Sequence, residues 1–87
     1  MPQISAFYGI TIWMYWNEGA HALPHFHARY EGRAASIDFD GRVLAGTLPR
    51  RALVLVADWA ALHHDELTAN WERARRAEPL KAVEPLA

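Results

Sequence analysis

Apolar and polar residues alternate along much of the first half of the chain. The alternating runs are short, rich in β-branched and aromatic residues, and bounded by Gly, Asn or Asp, which is typical of strands. Glu31 and Gly32 separate two of the runs, and a two-residue connection that contains Gly predicts a tight β-hairpin. The pattern therefore predicts an antiparallel meander, with strands at 9–16, 25–30, 33–40 and 42–46.

The period of the apolar residues changes to three and four in the second half. From Ala52 this spacing predicts an amphipathic helix that has Pro49 in its first turn and ends near His63. Asp65 and Glu66 then form the acidic first turn expected of a second helix, whose basic end suits the helix dipole. The two halves together indicate an α+β fold: a small antiparallel β-meander followed by one or two C-terminal helices packed on the sheet.

The length of the chain, 87 residues, is enough for one domain and too small for two. We assign residues 1–78 to a single α+β domain. Residues 79–87, which contain two prolines, are expected to form an extended and partly mobile C-terminal tail.

The composition excludes several classes of protein. The chain has no Cys, which rules out disulfides and thiolate zinc sites and suits a reducing compartment. Its formal net charge of −1 differs from that of a strongly basic nucleic-acid binder. No apolar run approaches the ~18–20 residues of a membrane span, and the first residues do not resemble a signal peptide. We therefore expect a cytoplasmic protein with no membrane contact.

Aromatic residues are numerous for this length, and they suggest an interface. The four Trp residues are too many to be fully interior in so short a chain, and an exposed Trp would mark a contact surface. The segment 9–16 is apolar on both faces, which suggests a central strand or one covered on both sides. It is also a possible edge for pairing with another chain, so a homo-oligomer is one expectation.

The segment HFHARY, residues 25–30, holds the clearest candidate chemistry. On a strand, His25, His27 and Arg29 share one face, while Phe26, Ala28 and Tyr30 share the other, which we expect to face the core. Three interpretations of the histidines remain open. They are structural residues with hydrogen-bonding roles; they form an acid–base or substrate-binding site with Arg29; or they bind a metal ion, with further ligands from His21, His63, His64 or a carboxylate.

A second group of basic residues lies where the first helix is expected to begin. Arg50 and Arg51 are either a solvated turn or, together with backbone N–H groups, an anion-binding site. Arg29 and Arg33 flank the first hairpin turn and would extend such a site toward the histidines. A set of His, Arg and Tyr30 is the kind that metal-independent ribonucleases use.

The chain resembles the DUF4160 family of small bacterial proteins over nearly its whole length. The resemblance rests on the segments PQISAFYGITIWMYW, PHFHARY, LPRRALVLVADWAALH and DELTANWERA, and most specifically on PHFHA at 24–28. By motif position it points to His25 and His27, and also to Arg50, Arg51, Asn70 and Trp71. His21 lies in NEGAHAL, where many relatives have a shorter turn, so this histidine is expected to be individual to this chain.

The resemblance implies a protein with no settled activity, often encoded beside another small protein in pairs that look like toxin–antitoxin modules. The leading hypothesis is a toxin-like component whose His25, His27 and Arg29 face engages RNA, a nucleotide or another anionic target. The same hypothesis includes a small cognate protein partner. A non-enzymatic binding or antitoxin-side regulatory module with structural histidines is the first alternative. A metal-binding protein whose ligands include His21, His25 and His27 is the second.

Overall fold

A five-stranded antiparallel sheet in the order β1-β2-β3-β4-β5 precedes two helices. This architecture confirms the predicted α+β meander with C-terminal helices. The computed structural model describes residues 2–16 and 23–87. The elements are β1 Gln3–Phe7, β2 Ile10–Trp13, β3 His25–Tyr30, β4 Arg33–Asp38, β5 Val43–Gly46, α1 Arg50–Leu62 and α2 His64–Arg75.

The first strand, β1, was not expected from the sequence pattern. Tyr8 and Gly9 both have positive φ, 51° and 80°, and they form a tight turn that joins β1 to β2. The central position that the two apolar faces of 9–16 suggest is therefore confirmed, whereas the extent of the strand to residue 16 and its use as a sheet edge are wrong. β2 ends at Trp13 and lies between β1 and β3. Gly9 alone marks a boundary in the sequence, and it did not reveal a paired strand before it.

The hairpin predicted at Glu31 and Gly32 is confirmed. The two residues have φ values of 49° and 77°, and the register pairs Tyr30 with Arg33 across the turn. Positive φ at both turn positions matches the right-handed twist of the flanking strands. This register holds along all of β3 and β4, so it sets which side chains of the two strands are neighbours.

The helices cover one face of the sheet and bury its apolar residues there. Phe26 and Trp59 are each 0% exposed, and their ring centroids lie 5.5 Å apart in a perpendicular arrangement. Phe7 contacts the same indole at 5.4 Å. As expected, the four Trp residues are not all interior, because Trp16 is 41% exposed and Trp13 is half-buried.

A short junction at His63 connects the two helices. It follows the last residue of α1 and precedes the first residue of α2, as the sequence predicts. Its Nδ1 lies 2.7 Å from Oε1 of Glu66, so this imidazole is engaged at the start of α2. Neither helix, within the described residues, is long and apolar enough to cross a membrane.

The segment after α2 has no regular secondary structure and runs back along the fold to β1. The N–H of Val83 donates to the carbonyl of Ile4 at 2.7 Å, and the Val83 side chain is buried. The indole of Trp59 donates to the carbonyl of Glu84 at 2.8 Å. These bonds tie the tail to the core and to the edge strand β1. The division of the chain at residue 78 stays a prediction.

Substitution of Gly46 by Ala is expected to destabilise the fold severely. Gly46 has φ +77°, and an added Cβ would lie 2.3 Å from the carbonyl oxygen of Ala34. Left-handed strain of about 1–2 kcal/mol then adds to an overlap of about 1–3 kcal/mol. Gly32→Ala is the matched control, because its φ is also +77° but nothing lies within 4 Å of the added carbon. Urea unfolding of both variants measures the difference, and equal losses would contradict the close approach at Gly46.

Candidate functional site

The face of the sheet opposite to the helices carries polar and aromatic side chains. Antiparallel pairing places Thr11 of β2 beside Arg29 of β3, and Trp13 beside His27. His27 is in turn paired with Ser36 of β4. Because paired residues project on the same side of a sheet, these side chains form one continuous surface. We call it the polar-aromatic face, comprising Thr11, Trp13, Tyr15, His27, Arg29 and Ser36.

Arg29 is held in place by two aromatic residues of this face. Its guanidinium carbon lies 4.5 Å from the centroid of the Trp13 ring, a cation–π arrangement. Its Nη2 donates to the hydroxyl of Tyr15 at 2.7 Å. The Trp13 indole itself donates to Oγ1 of Thr11 at 2.9 Å. The guanidinium is therefore exposed but oriented, so the binding of a ligand to it would cost less side-chain entropy than binding to a freely rotating arginine.

His27 lies in the same cluster and is half-buried. The edge of its ring meets the Tyr15 ring, with the centroids 4.7 Å apart. Its Nδ1 is 3.3 Å from Oγ of Ser36. Tyr15 thus contacts both His27 and Arg29, so the predicted convergence of an imidazole and a guanidinium is present in the structure.

His25 differs from His27, although the rings are 5.2 Å apart. It is 8% exposed, and its ring lies 5.3 Å from that of Trp71 in α2. Nδ1 is 2.7 Å from the carbonyl oxygen of Leu23. Since a carbonyl only accepts, Nδ1 carries the proton in this bond, and Nε2 is the acceptor in the neutral ring. This geometry is that of a packed, backbone-bonded histidine.

Tyr30, Arg50 and Arg51 lie away from the histidines. Tyr30 shares the helix-covered side of β3 with Phe26, and its hydroxyl accepts a 3.5 Å hydrogen bond from Nη2 of Arg51. That hydrogen bond, followed by the charge interaction with the same phenol, raises the pKa of Arg51. Arg50 is exposed at the start of α1. The predicted extension of the Arg50 and Arg51 group to the histidines is therefore not present.

Asn70 has a structural environment. It is 1% exposed, its Nδ2 donates to the carbonyl of Lys81 at 2.8 Å, and its Oδ1 accepts from the N–H of Lys81 at 2.9 Å. Arg73 donates to the same Oδ1 at 2.8 Å. The side-chain amide of Asn70 therefore satisfies both backbone groups of Lys81, as a neighbouring strand would, and fixes the tail to α2. Trp71 is 8% exposed and packs against Phe39 as well as His25.

The three-donor group that a metal site needs is not found within residues 2–16 and 23–87. His63 bonds to Glu66, and the ring of His64 contacts Phe39 at 6.1 Å. His21 lies outside the described residues. Metal binding through His21, His25 and His27 stays an untested prediction, and elemental analysis of tag-free protein addresses it directly.

The sequence indicated the three residues of β3 but not their partners on the neighbouring strands. Thr11, Trp13 and Tyr15 share a face of their own segment, yet only the register places them beside His27 and Arg29. Ser36 gave no signal of its own in the sequence. The pairing across the Glu31 and Gly32 turn was the signal that could have located it, because that hairpin fixes His27 opposite Ser36.

Comparison with protein families gives one match, to "Domain of unknown function (DUF4160)", over residues 9–72. The chain belongs to this family. No curated protein and no solved structure matches it. The DUF4160 region contains all of the polar-aromatic face, and also His25, Asn70 and Trp71. It leaves out β1 and the tail, the two segments that Val83 and Ile4 join.

Replacement of Asn70 by Ala is expected to lower the free energy of unfolding by roughly 2–3 kcal/mol, because the N–H and carbonyl of Lys81 lose a buried partner. The nearby Thr68→Ala is the control, since Thr68 is exposed and bonds only within its own helix; a change below about 0.5 kcal/mol is expected. Urea midpoints of the two variants measure the effects. An Asn70→Ala protein of unchanged stability would show that Asn70 does not hold the tail.

Proposed function

We propose that this protein is the toxin-like component of a bacterial two-protein module and that its polar-aromatic face binds an anionic target, RNA or a nucleotide. The proposal places the protein in the cytoplasm with a small cognate partner protein. One observation carries it: an exposed guanidinium fixed between Trp13 and Tyr15, next to an imidazole. The resemblance to paired small proteins supports the module, and the geometry supports the target class.

The chemistry of this face suits a single-stranded nucleic acid. Unpaired bases stack on aromatic rings or on guanidinium planes, and this stacking is worth about 1–3 kcal/mol per base. Trp13 of β2, Tyr15 just after β2 and the plane of Arg29 of β3 provide such surfaces side by side. Phosphate oxygens are strong acceptors for the guanidinium N–H groups that Tyr15 leaves unused.

A depression beside this face offers room for a phosphate or sugar. It has a volume of about 410 Å³ and lies against the Glu31 and Gly32 turn, with Arg29 and Arg33 among its lining residues. Thr11 also lines it, which makes it continuous with the polar-aromatic face. Glu31 lines it as well, so the net charge there is only about +1, and we expect stacking to contribute more to binding than charge.

The histidines take different roles in this proposal. His27 contacts Tyr15 within the binding surface and is the candidate for acid–base work on a bound target. His25 packs behind it and holds the start of β3 through the Leu23 carbonyl. Arg29 would bind the charge of the target. Catalysis is not required for the proposal, because tight binding of an RNA also inhibits its use.

The alternative is a non-enzymatic binding or antitoxin-side module, and the environment of His25 favours it. A buried imidazole bonded to a backbone carbonyl is what a structural histidine needs. In that case the polar-aromatic face binds the partner protein and not an anionic target. The two functions differ in whether purified protein binds RNA without its partner.

Arg29→Gln is expected to weaken binding of a fluorescein-labelled single-stranded RNA about tenfold, because one charged hydrogen-bonding group to phosphate is lost. The slope of log affinity against log salt should fall by about 0.7, the value for one phosphate contact on a single strand. Fluorescence anisotropy in a series of salt concentrations measures both quantities.

Arg76→Gln is the matched control for that experiment. It removes the same charge from an exposed position at the end of α2, outside the polar-aromatic face and outside the lining of the depression beside it, and both the affinity and the salt slope should stay unchanged. If the two variants lose affinity equally, the binding is non-specific attraction to positive charge. If the unmodified protein binds no RNA or nucleotide, the face has another ligand.

His27→Ala is expected to relieve growth inhibition in cells that express this protein without its partner. The substitution removes the imidazole next to Tyr15 but spares the packed His25. His25→Ala/His27→Ala should relieve it further, with a lowered melting temperature as a separate effect of losing His25. Growth curves and melting temperatures are measured together. Inhibition that persists in both variants, with normal expression, would exclude the histidines from the toxic activity.

A further inference from the structure

A second cavity lies at the opposite end of β3, where β4 leaves the sheet and α2 passes over it. It has a volume of about 310 Å³. Its lining includes Asp38, Phe39, Asp40, His64, Trp71 and Glu72. We call it the acidic cavity. His25 lies between it and the polar-aromatic face, since its ring contacts both Trp71 and His27.

The charge of the acidic cavity is strongly negative for its size. Three carboxylates line it, and neither Lys nor Arg is among the lining residues within 2–16 and 23–87. Oδ1 of Asp38 accepts from the N–H groups of Asp40 and Arg42, at 3.0 and 2.8 Å. The Glu72 carboxylate shares its charge with Arg75 at 3.1 Å. Asp40 is exposed, and its carboxylate has no partner within the described part of the chain, so it is available to a cation.

Aromatic rings form the wall beside these carboxylates. Phe39 meets Trp71 edge to face, with centroids 6.3 Å apart, and meets His64 in the same way at 6.1 Å. A ring face next to a carboxylate favours an organic cation, because the quadrupole and the charge act in the same direction. A bare metal ion would instead need several oxygen ligands converging on one point, and no such three-donor group occurs within the described ranges.

The indole N–H of Trp71 supplies an observation that does not depend on the carboxylates. The indoles of Trp13, Trp16 and Trp59 each donate to an oxygen atom. The indole of Trp71 has no such acceptor within residues 2–16 and 23–87, although only 8% of the residue is exposed. The Nε1 atom is nevertheless accessible to solvent, because the fully enclosed polar atom without a partner in the described residues is Oγ of Ser5. Part of the accessible area of Trp71 therefore belongs to this donor, and Trp71 is one of the residues that line the acidic cavity.

We propose that the acidic cavity binds a Lys or Arg side chain carried by a peptide segment of a partner protein. The cation meets the Asp40 carboxylate against the aromatic wall, and a main-chain carbonyl next to that side chain accepts from the Trp71 indole. A free polyamine would satisfy the carboxylates but has no acceptor for Trp71. A peptide with a basic residue satisfies both, which is why it is the favoured ligand.

This inference does not rest on the binding of RNA. The acidic cavity would repel phosphate, and the polar-aromatic face has the cationic Arg29, so the two surfaces select ligands of opposite charge. A partner protein that used the acidic cavity would leave the polar-aromatic face accessible. The two proposals can therefore fail independently. Arg29→Gln should not alter the binding of a basic ligand at the acidic cavity, and Asp40→Asn should not alter the binding of RNA.

The test is a titration of the ¹⁵N-labelled full chain followed by the indole N–H signals in NMR spectra. Trp71→Phe assigns the Trp71 signal, and the signal of Trp59, which is fully buried and bonded to Glu84, is the internal reference. The ligands are the Nα-acetyl methylamides of lysine and arginine. Spermidine provides a cation without an acceptor, and the norleucine compound provides the peptide group without a charge.

The expected result is a saturable shift of the Trp71 signal with the lysine and arginine compounds, and a static Trp59 signal. Asp40→Asn should weaken this binding about two- to fivefold, the effect of losing one partly exposed charge pair, and Glu72→Gln provides a second variant at the cavity. Glu78→Gln removes an equal charge from an exposed position beyond the end of α2, outside the lining of the cavity, and should leave the binding unchanged.

Three outcomes would overturn the proposal. Equal binding of the norleucine compound would show that the carboxylates play no part. Stronger binding of spermidine than of the lysine compound would make the acidic cavity a polyamine site and remove the peptide from the assignment. The absence of any saturable shift of the Trp71 signal up to the solubility limit of the ligands would show that the cavity is not a site for organic cations.

Discussion

The contact between Phe26 of β3 and Trp59 of α1 determines which side of the sheet is interior. Both side chains are fully buried, and each buries roughly 150–250 Å² of apolar surface. Because alternate residues of a strand point to opposite sides, burial of Phe26 directs His27 and Arg29 to the other face. The surface that holds the candidate chemistry is thus a consequence of core packing, without any requirement that the polar residues attract one another.

The same indole ties the tail into the structure. Trp59 contacts Phe7 and Phe26 through its ring and donates its N–H to the carbonyl of Glu84. Asn70 supplies two further bonds to the tail from α2. A domain of this size buries a limited share of its surface, so these contacts of the last residues add to a small core. They also bring the tail along β1, an edge of the sheet that would otherwise present unpaired backbone groups.

The two ends of β3 present opposite charges within one small domain. Arg29 projects near the hairpin turn, and Asp38 and Asp40 lie at the other end beside Trp71. His25 packs between these surfaces and contacts both the imidazole of His27 and the indole of Trp71. This separation of charge is compatible with the proposed two-protein module. The polar-aromatic face would bind an anionic target, and the acidic cavity would bind a basic segment of the partner protein.

Local rules were enough for the helices, for the β3–β4 hairpin and for the shared face of His27 and Arg29, since each depends on residue period or turn chemistry within a short segment. The two apolar faces of 9–16 also indicated the central place of β2. The extra strand β1 and the separation of Arg51 from the histidines depended on tertiary structure, because strand partners and helix position come from contacts distant in the chain. Tertiary structure also decided the roles of Asn70 and Trp71, which are neighbours in the sequence. Packing places Asn70 against the tail, where it bonds to Lys81, and places Trp71 in the wall of the acidic cavity.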